Sequence, residues 1–277
     1  MTPSTPGEPP RHPTASAAPH HRVHVVDLLG KPGTTVTLPL AFSAPFRPDL
    51  IHRAVVAALS HRRQPYGTSP TAGARHSVEW AGKGRGVART PRLMDSLRGA
   101  QAPNTVGGRP AHPPRVERIW GKKINEKERR LAFASALGAT RDPALAKARG
   151  HALPQDLHLP LVVDDAVEGV TTSAEARAAL ERLQLWPDVE RARNGTHLRA
   201  GRGRRRGRVR RTPRSVLVVT SAPGRARGFR NISGVDVVPV LRLGTADLAP
   251  GGSPGRLTVF SRSAVESLRT RLGEAHP

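Results

Sequence analysis

The sequence predicts an α/β domain whose mostly parallel sheet is flanked by helices on both faces, with a long extended basic loop inserted and a disordered N-terminal tail. Three observations lead there. Short apolar, β-branched runs alternate with amphipathic helical patterns through the second half of the chain, as parallel strands buried on both faces require. Residues 63–123 contain nine Gly and seven Pro and sustain neither period, although compact domains rarely hold structureless connections beyond about 15 residues. Residues 1–21 are rich in Pro, Ala, Ser and His and lack the apolar content to order themselves.

Taken in order, the tail carries His12, His20 and His21, which have no further ligand at suitable spacing and read as solvated rather than metal-binding. Residues 22–277 form one domain. The runs VHVVDLL and TTVTLPL are joined through Gly30, Lys31, Pro32 and Gly33, turn chemistry that predicts a hairpin. Asp49 caps a helix with Ile51, Val55, Ala58 and Leu59 on one face, running to about Arg62 before Pro65 stops it. Asn125 and Glu128 pattern as a capping box for a helix with the stripe Leu131, Ala134 and Leu137, ending at Gly138. A strand over 159–163 precedes a helix opened by Thr172 and Glu175, with Ala176, Ala179, Leu180 and Leu183 inward. Strands follow at 215–219, 235–240 and 257–260, then a last helix capped by Ser263 and Glu266.

Charge narrows the function. The 45 Lys and Arg against 21 Asp and Glu give a formal net charge of +24, a balance that calls for a polyanion nearby. Only six of the 45 are Lys, and the planar fork of Arg matches phosphate bidentately. The cations are concentrated. Residues 124–190 hold eight basic and eleven acidic residues, whereas 191–214 hold eleven Arg and no acid. In 63–123 the only acids are Glu79, Asp95 and Glu117. Aromatics at 3% argue against modules that stack bases on aromatic platforms. The absence of Cys excludes a disulfide scaffold, a zinc ribbon and a thiol nucleophile. No apolar run reaches membrane-spanning length and the N-terminus lacks a signal-peptide core, so a cytoplasmic protein is expected.

Enzyme motifs are weak. The segments GKGRG (82–86) and GRGRRRG (201–207) are Gly-rich, but neither lies between a strand and a helix as a nucleotide loop must. No Gly-Lys pair is followed by Ser or Thr, and the His residues form no HExxH pair. Asp164 and Asp165 end a strand, where metal carboxylates occur in α/β enzymes, yet no partner acid is identifiable and a strand-end turn is the plainer reading. No catalytic residue, cofactor, metal or small-molecule substrate is expected.

The runs HRRQPYGT (61–68), WAGKGRGVARTPRL (80–93), VGGRPAHPPRVE (106–117) and INEKERRLAFASAL (124–137) are followed by RTPRSVLVVTSAPG (211–224), NISG (231–234) and DLAPGGSPGRLTVFSRSAV (247–265). In this order they resemble the family of large-ribosomal-subunit protein four, in its archaeal branch. The resemblance implies a globular domain on the outside of the large subunit and a loop threaded through ribosomal RNA to the peptide exit tunnel. It places Lys83, Arg85 and Arg89 near a loop tip formed with Trp80, Gly82, Gly84 and Gly86. Along the stalk it places Arg62, Arg63, Arg92, Arg109 and Arg115 against RNA, with Tyr66, Arg75 and His112 among the RNA-facing residues. The second basic segment adds Arg199, Arg202, Arg204, Arg205, Arg206, Arg208, Arg210 and Arg211. The implied partners are large-subunit ribosomal RNA, neighbouring ribosomal proteins and the nascent peptide, with no membrane. Rival readings are an RNA-modifying or RNA-cleaving enzyme with basic clamps, and a free messenger-RNA-binding regulator.

Overall fold

The computed structural model describes residues 21–154 and 157–273, so the expected tail lies outside the described residues except for His21. Two compact units are distinguished: residues up to Ala58 together with those from Lys123 onward, and Leu59–Lys122. In chain order the elements are β1 (Arg22–Val26), β2 (Pro32–Thr37), α1 (Pro48–Ser60), β3 (Glu79–Trp80), β4 (Pro91–Arg92), α2 (Glu126–Ala139), α3 (Pro143–Ala148) and β5 (Leu161–Val163). They continue with α4 (Ser173–Arg182), α5 (Trp186–Asn194), β6 (His197–Leu198), α6 (Gly201–Arg205), β7 (Arg210–Arg211) and β8 (Leu217–Thr220). The chain then forms β9 (Asp236–Pro239), α7 (Thr245–Leu248), β10 (Thr258–Ser261) and α8 (Arg262–Leu272).

In the first unit the sheet runs β2-β1-β5-β10-β8-β9 among the described residues. All neighbours are parallel except the hairpin partner β2. Successive side chains of β8 bury on opposite faces. Leu217 and Val219 join Ile51, Phe133, Leu137 and Phe260 on one side, while Val216 and Val218 join Ala176, Leu180 and Leu185 on the other. That two-residue alternation, apolar on both faces, is why the strands read as unbroken apolar runs. Phe42 meets Phe260 edge to face at 5.5 Å and closes the first layer.

Several helix ends differ from expectation. Pro48 opens α1, where its fixed φ suits the first turn, and Asp49 lies inside that turn, held by Arg47 at 2.8 and 3.1 Å rather than capping. The buried face of α1 is Ile51, Ala54, Val55 and Ala57, and Leu59 and Ala58 are exposed. Asn125 does cap α2 through the Lys127 N–H, but Glu128 is taken by Arg53 at 3.1 Å and completes no box. On α2 the buried residues are Ala132, Phe133, Ala136 and Leu137, and Leu131 is exposed. The box at Thr172 and Glu175 forms in both directions. Ser261, not Ser263, caps α8, since its Oγ accepts the Ala264 N–H at 3.1 Å. The helices α3 and α5 escaped the pattern reading because each begins with a proline in its first turn, which reads as a breaker until its position is known.

The two ends of the parallel strands carry different chemistry. At their carboxyl ends Glu168 accepts from Ser221 N and Oγ and from Ser261 Oγ at 2.6–2.8 Å, and Asp165 accepts from Ser263 N at 2.8 Å and from its Oγ at 2.5 Å. These carboxylates lock strands to helices. At the amino ends the fully buried Asp188 accepts from His151 Nδ1 (3.0 Å), Ala152 N (2.9 Å), Ser215 Oγ (2.7 Å) and Arg191 Nε (2.8 Å). Asp236 there receives Arg214 and the buried Arg256, both at 2.5 Å. Burial acts to raise the Asp188 carboxyl, but hydrogen bonds from His151, Arg191 and Ser215 outweigh it and hold it well below the usual carboxylate range.

Removing one partner of such a network strands the others without a counter-charge, so Asp188→Asn is expected to lower unfolding free energy by about 3 kcal/mol in denaturant titration. Because the folded carboxyl is depressed, its contribution is present above about pH 4 and is lost as pH falls through the folded value. The variant is expected to lack this acid limb in a pH series of midpoints.

Candidate nucleic-acid interface

Within Leu59–Lys122 two antiparallel stretches run out from a neck and back. At the neck Trp120 stacks on Tyr66 (centroids 5.2 Å, 15°), with the guanidinium of Arg63 4.0 Å and that of Arg118 4.5 Å from its ring. Ser60 Oγ accepts the Lys122 N–H at 2.9 Å. Beyond it Thr68 N bonds Pro114 O at 3.1 Å, and a Cβ on Gly67 would fall 2.7 Å from Val116 N. Only glycine lets the two backbones lie so close. Gln101 ties across to the carbonyls of Ala74 and His76. The distal part is pinned where β3 pairs with β4, Glu79 opposite Arg92 and Trp80 opposite Pro91. The tip, residues 80–89, starts at that pairing, with Gly82, Gly84 and Gly86 at φ of +80, +80 and +64° and no atom near their absent side chains.

This skeleton turns its cations outward. Arg62, Arg63, Arg75, Lys83, Arg85, Arg89, Arg109 and Arg115 are exposed, as are Tyr66, Trp80 and His112. None of these cations has a carboxylate partner among the described residues. Arg75 is steadied by Thr71 Oγ1 at 2.8 Å. Arg92 is half-buried and bonds the Leu97 carbonyl at 2.8 Å, bracing the base of the tip. The sequence reading had no signal for Trp120 or Arg118, because a lone Trp in a Gly/Pro-rich stretch has no periodicity to mark it as an anchor.

In the first unit the segment 191–214 is more ordered than its charge suggests. Its first residues finish α5, and β6 pairs with β7, His197 opposite Arg211 and Leu198 opposite Arg210. The short α6 caps this hairpin. Arg199, Arg202, Arg204, Arg205, Arg206, Arg208, Arg210 and Arg211 are all exposed. Arg199 is braced through its N–H on Val209 O and its Nε on Arg210 O. The hairpin root is held from below: Arg191 spans Asp188 and the Arg214 carbonyl, and Arg214 grips Asp236. Arrayed guanidinium groups without carboxylate partners among the described residues have the chemistry to bind phosphate.

Among the described residues no group of three or more His, Asp or Glu is placed to hold a metal ion, and no helix is long and apolar enough to cross a membrane. The carboxylates at the carboxyl ends of the strands are occupied by Ser hydroxyl and amide donors, so Asp165 serves as a helix anchor.

A family model described as the ribosomal protein L4/L1 family matches residues 36–271. Proteins named large ribosomal subunit protein uL4 are similar along nearly the whole chain. That of Methanopyrus kandleri is 47% identical over 256 residues, 90% of this chain and 98% of its own length. That of Pyrobaculum aerophilum is 48% identical over 256 residues, 91% and 90%. That of Haloquadratum walsbyi is 45% identical over 246 residues, 88% and 98%.

The Trp120 stack and its two guanidinium contacts are together worth about 2 kcal/mol. Trp120→Leu is therefore expected to speed tryptic cleavage between residues 62 and 118 of the free protein roughly thirtyfold, leaving fragments of the sheet unit intact on a gel.

Proposed function

The chain belongs to the ribosomal protein L4/L1 family and is a structural constituent of the large ribosomal subunit, and from that premise we propose how its two basic arms serve the particle. The Leu59–Lys122 unit and the arginine hairpin bind large-subunit ribosomal RNA through phosphate, and the tip at residues 80–89 lines the peptide exit tunnel beside the nascent chain. The observation that carries this reading is the set of exposed guanidinium groups without carboxylate partners, among the described residues, on both arms. Free in water such an array repels itself, and RNA phosphates remove the repulsion while releasing counterions. Family membership sets this reading above an RNA-processing enzyme or a free messenger-RNA regulator.

The parts divide the work. Stalk and hairpin cations supply affinity without reading bases, since phosphate contacts position rather than specify. The tip glycines bend the chain with little side-chain bulk between Lys83 and Arg85, which suits a surface lining a passage.

Two outcomes are expected. Deleting residues 80–89 leaves incorporation into purified large subunits near wild type but alters translation through an arrest sequence, whereas replacing Arg62, Arg63, Arg109 and Arg115 together with Gln lowers the incorporated fraction. The reverse pattern would overturn this division. Binding of the free protein to large-subunit RNA should weaken steeply with salt, and each hairpin Arg removed should reduce the log–log slope by about one.

A further inference from the structure

We infer that the cleft at the amino-terminal edge of the sheet, between the hairpin root and the end of α3, binds a run of phosphodiesters, with Arg149 as its central guanidinium. This rests on the RNA-binding reading above and adds to it a pre-formed pocket in the folded unit. The cleft is an open cavity of about 940 Å³ with Arg149, Arg191, Arg199, Arg211 and Arg214 on its walls and no carboxylate among its lining residues. Arg191 and Arg214 are already matched from behind by Asp188 and Asp236. Among the described residues Arg149, Arg199 and Arg211 are matched by no acid, so the described walls of the cavity carry uncompensated positive charge.

Arg149 is half-buried and fixed at two points. Its guanidinium donates to the carbonyls of Ser253 and of Pro250, the latter at 2.8 Å. Carbonyls orient the group and leave its charge unneutralised. Burial, with Arg256 and Arg191 close by, lowers its pKa to about 10, because desolvation and like charge both penalise the cation. A planar fork held in place loses little freedom on meeting a phosphate, so the affinity per contact exceeds that of a free surface side chain.

The occupant follows from the shape of the charge. Arg199 and Arg211 line the cleft and also belong to the hairpin, so the positive surface continues from the pocket along the ribbon. A chain of regularly spaced bidentate anions fits such a strip, as an RNA backbone provides.

The test uses the full chain with three probes: large-subunit ribosomal RNA, inorganic triphosphate and a poly-glutamate peptide. Arg149→Gln is expected to weaken RNA binding roughly tenfold, the loss of one charged hydrogen bond, and to reduce the salt slope by about one. Ser253→Glu, which removes no side-chain contact and places a carboxylate in the cleft, should weaken RNA binding at least as much while melting like wild type. It keeps the test open if Arg149→Gln unfolds. Arg204→Gln with Arg205→Gln, on the hairpin away from the cleft, reports on the general reading. If the hairpin pair weakens RNA binding but both cleft variants bind as wild type, the pocket is refuted and the RNA reading stands. If none of the variants weakens it, the RNA reading itself fails. Triphosphate or poly-glutamate binding that the cleft variants abolish while RNA affinity is unchanged overturns the phosphodiester assignment in favour of a free phosphate compound or an acidic protein.

Discussion

A chain with a formal net charge of +24 folds only if its cations are kept out of places where they would be desolvated together, and every feature of this molecule answers to that constraint. The sheet unit buries Leu, Val, Ala and Phe on both faces. Arg256, which does enter at the edge, meets a carboxylate and two carbonyls at once. Asp188 and Asp236 are the pivots. They neutralise the arginines at the hairpin root, so that the remaining repulsion is pushed outward into solvent, where screening keeps it tolerable until phosphate arrives.

The same constraint bears on why the proposed RNA-binding face of the sheet unit is at the unusual end of the sheet. Open parallel sheets commonly bind ligands at the carboxyl ends of their strands. Here Glu168 and Asp165 spend that edge on tying β8, β10 and α8 together, and the arginines cluster at the opposite edge. An α/β frame thus carries a binding surface with none of the nucleotide-loop geometry that its topology brings to mind, because function lives in the residues grafted on a fold.

How much of this could be read from the sequence follows from what each signal measures. The parallel sheet was legible because two-sided burial leaves apolar runs such as SVLVV, and the helix at Thr172 because Glu175 closes a local box. Strand order was not legible: β10 inserts between β5 and β8, which is a long-range choice with no local mark. Helix faces were misread where neighbours decide them, as with Leu131, which faces solvent while Phe133 packs inward. The exposed arginines of both arms were legible from composition and from the resemblance. The fixed Arg149 and the Trp120 anchor were not, since one depends on carbonyls a hundred residues away and the other on two guanidinium groups meeting across the neck.

The neck at Trp120 and Tyr66 also makes the reach of the arm a nearly free evolutionary variable. Once the two stretches are joined there, doubling the number of residues beyond it adds only about 0.6 kcal/mol of closure entropy. Insertions and deletions far from the stack can therefore drift with the depth of the groove they must cross. A single residue added beside Gly67, where backbone lies against backbone, would instead shift the register of the whole arm. Length should vary outward from this point across lineages, and the join itself should stay constant.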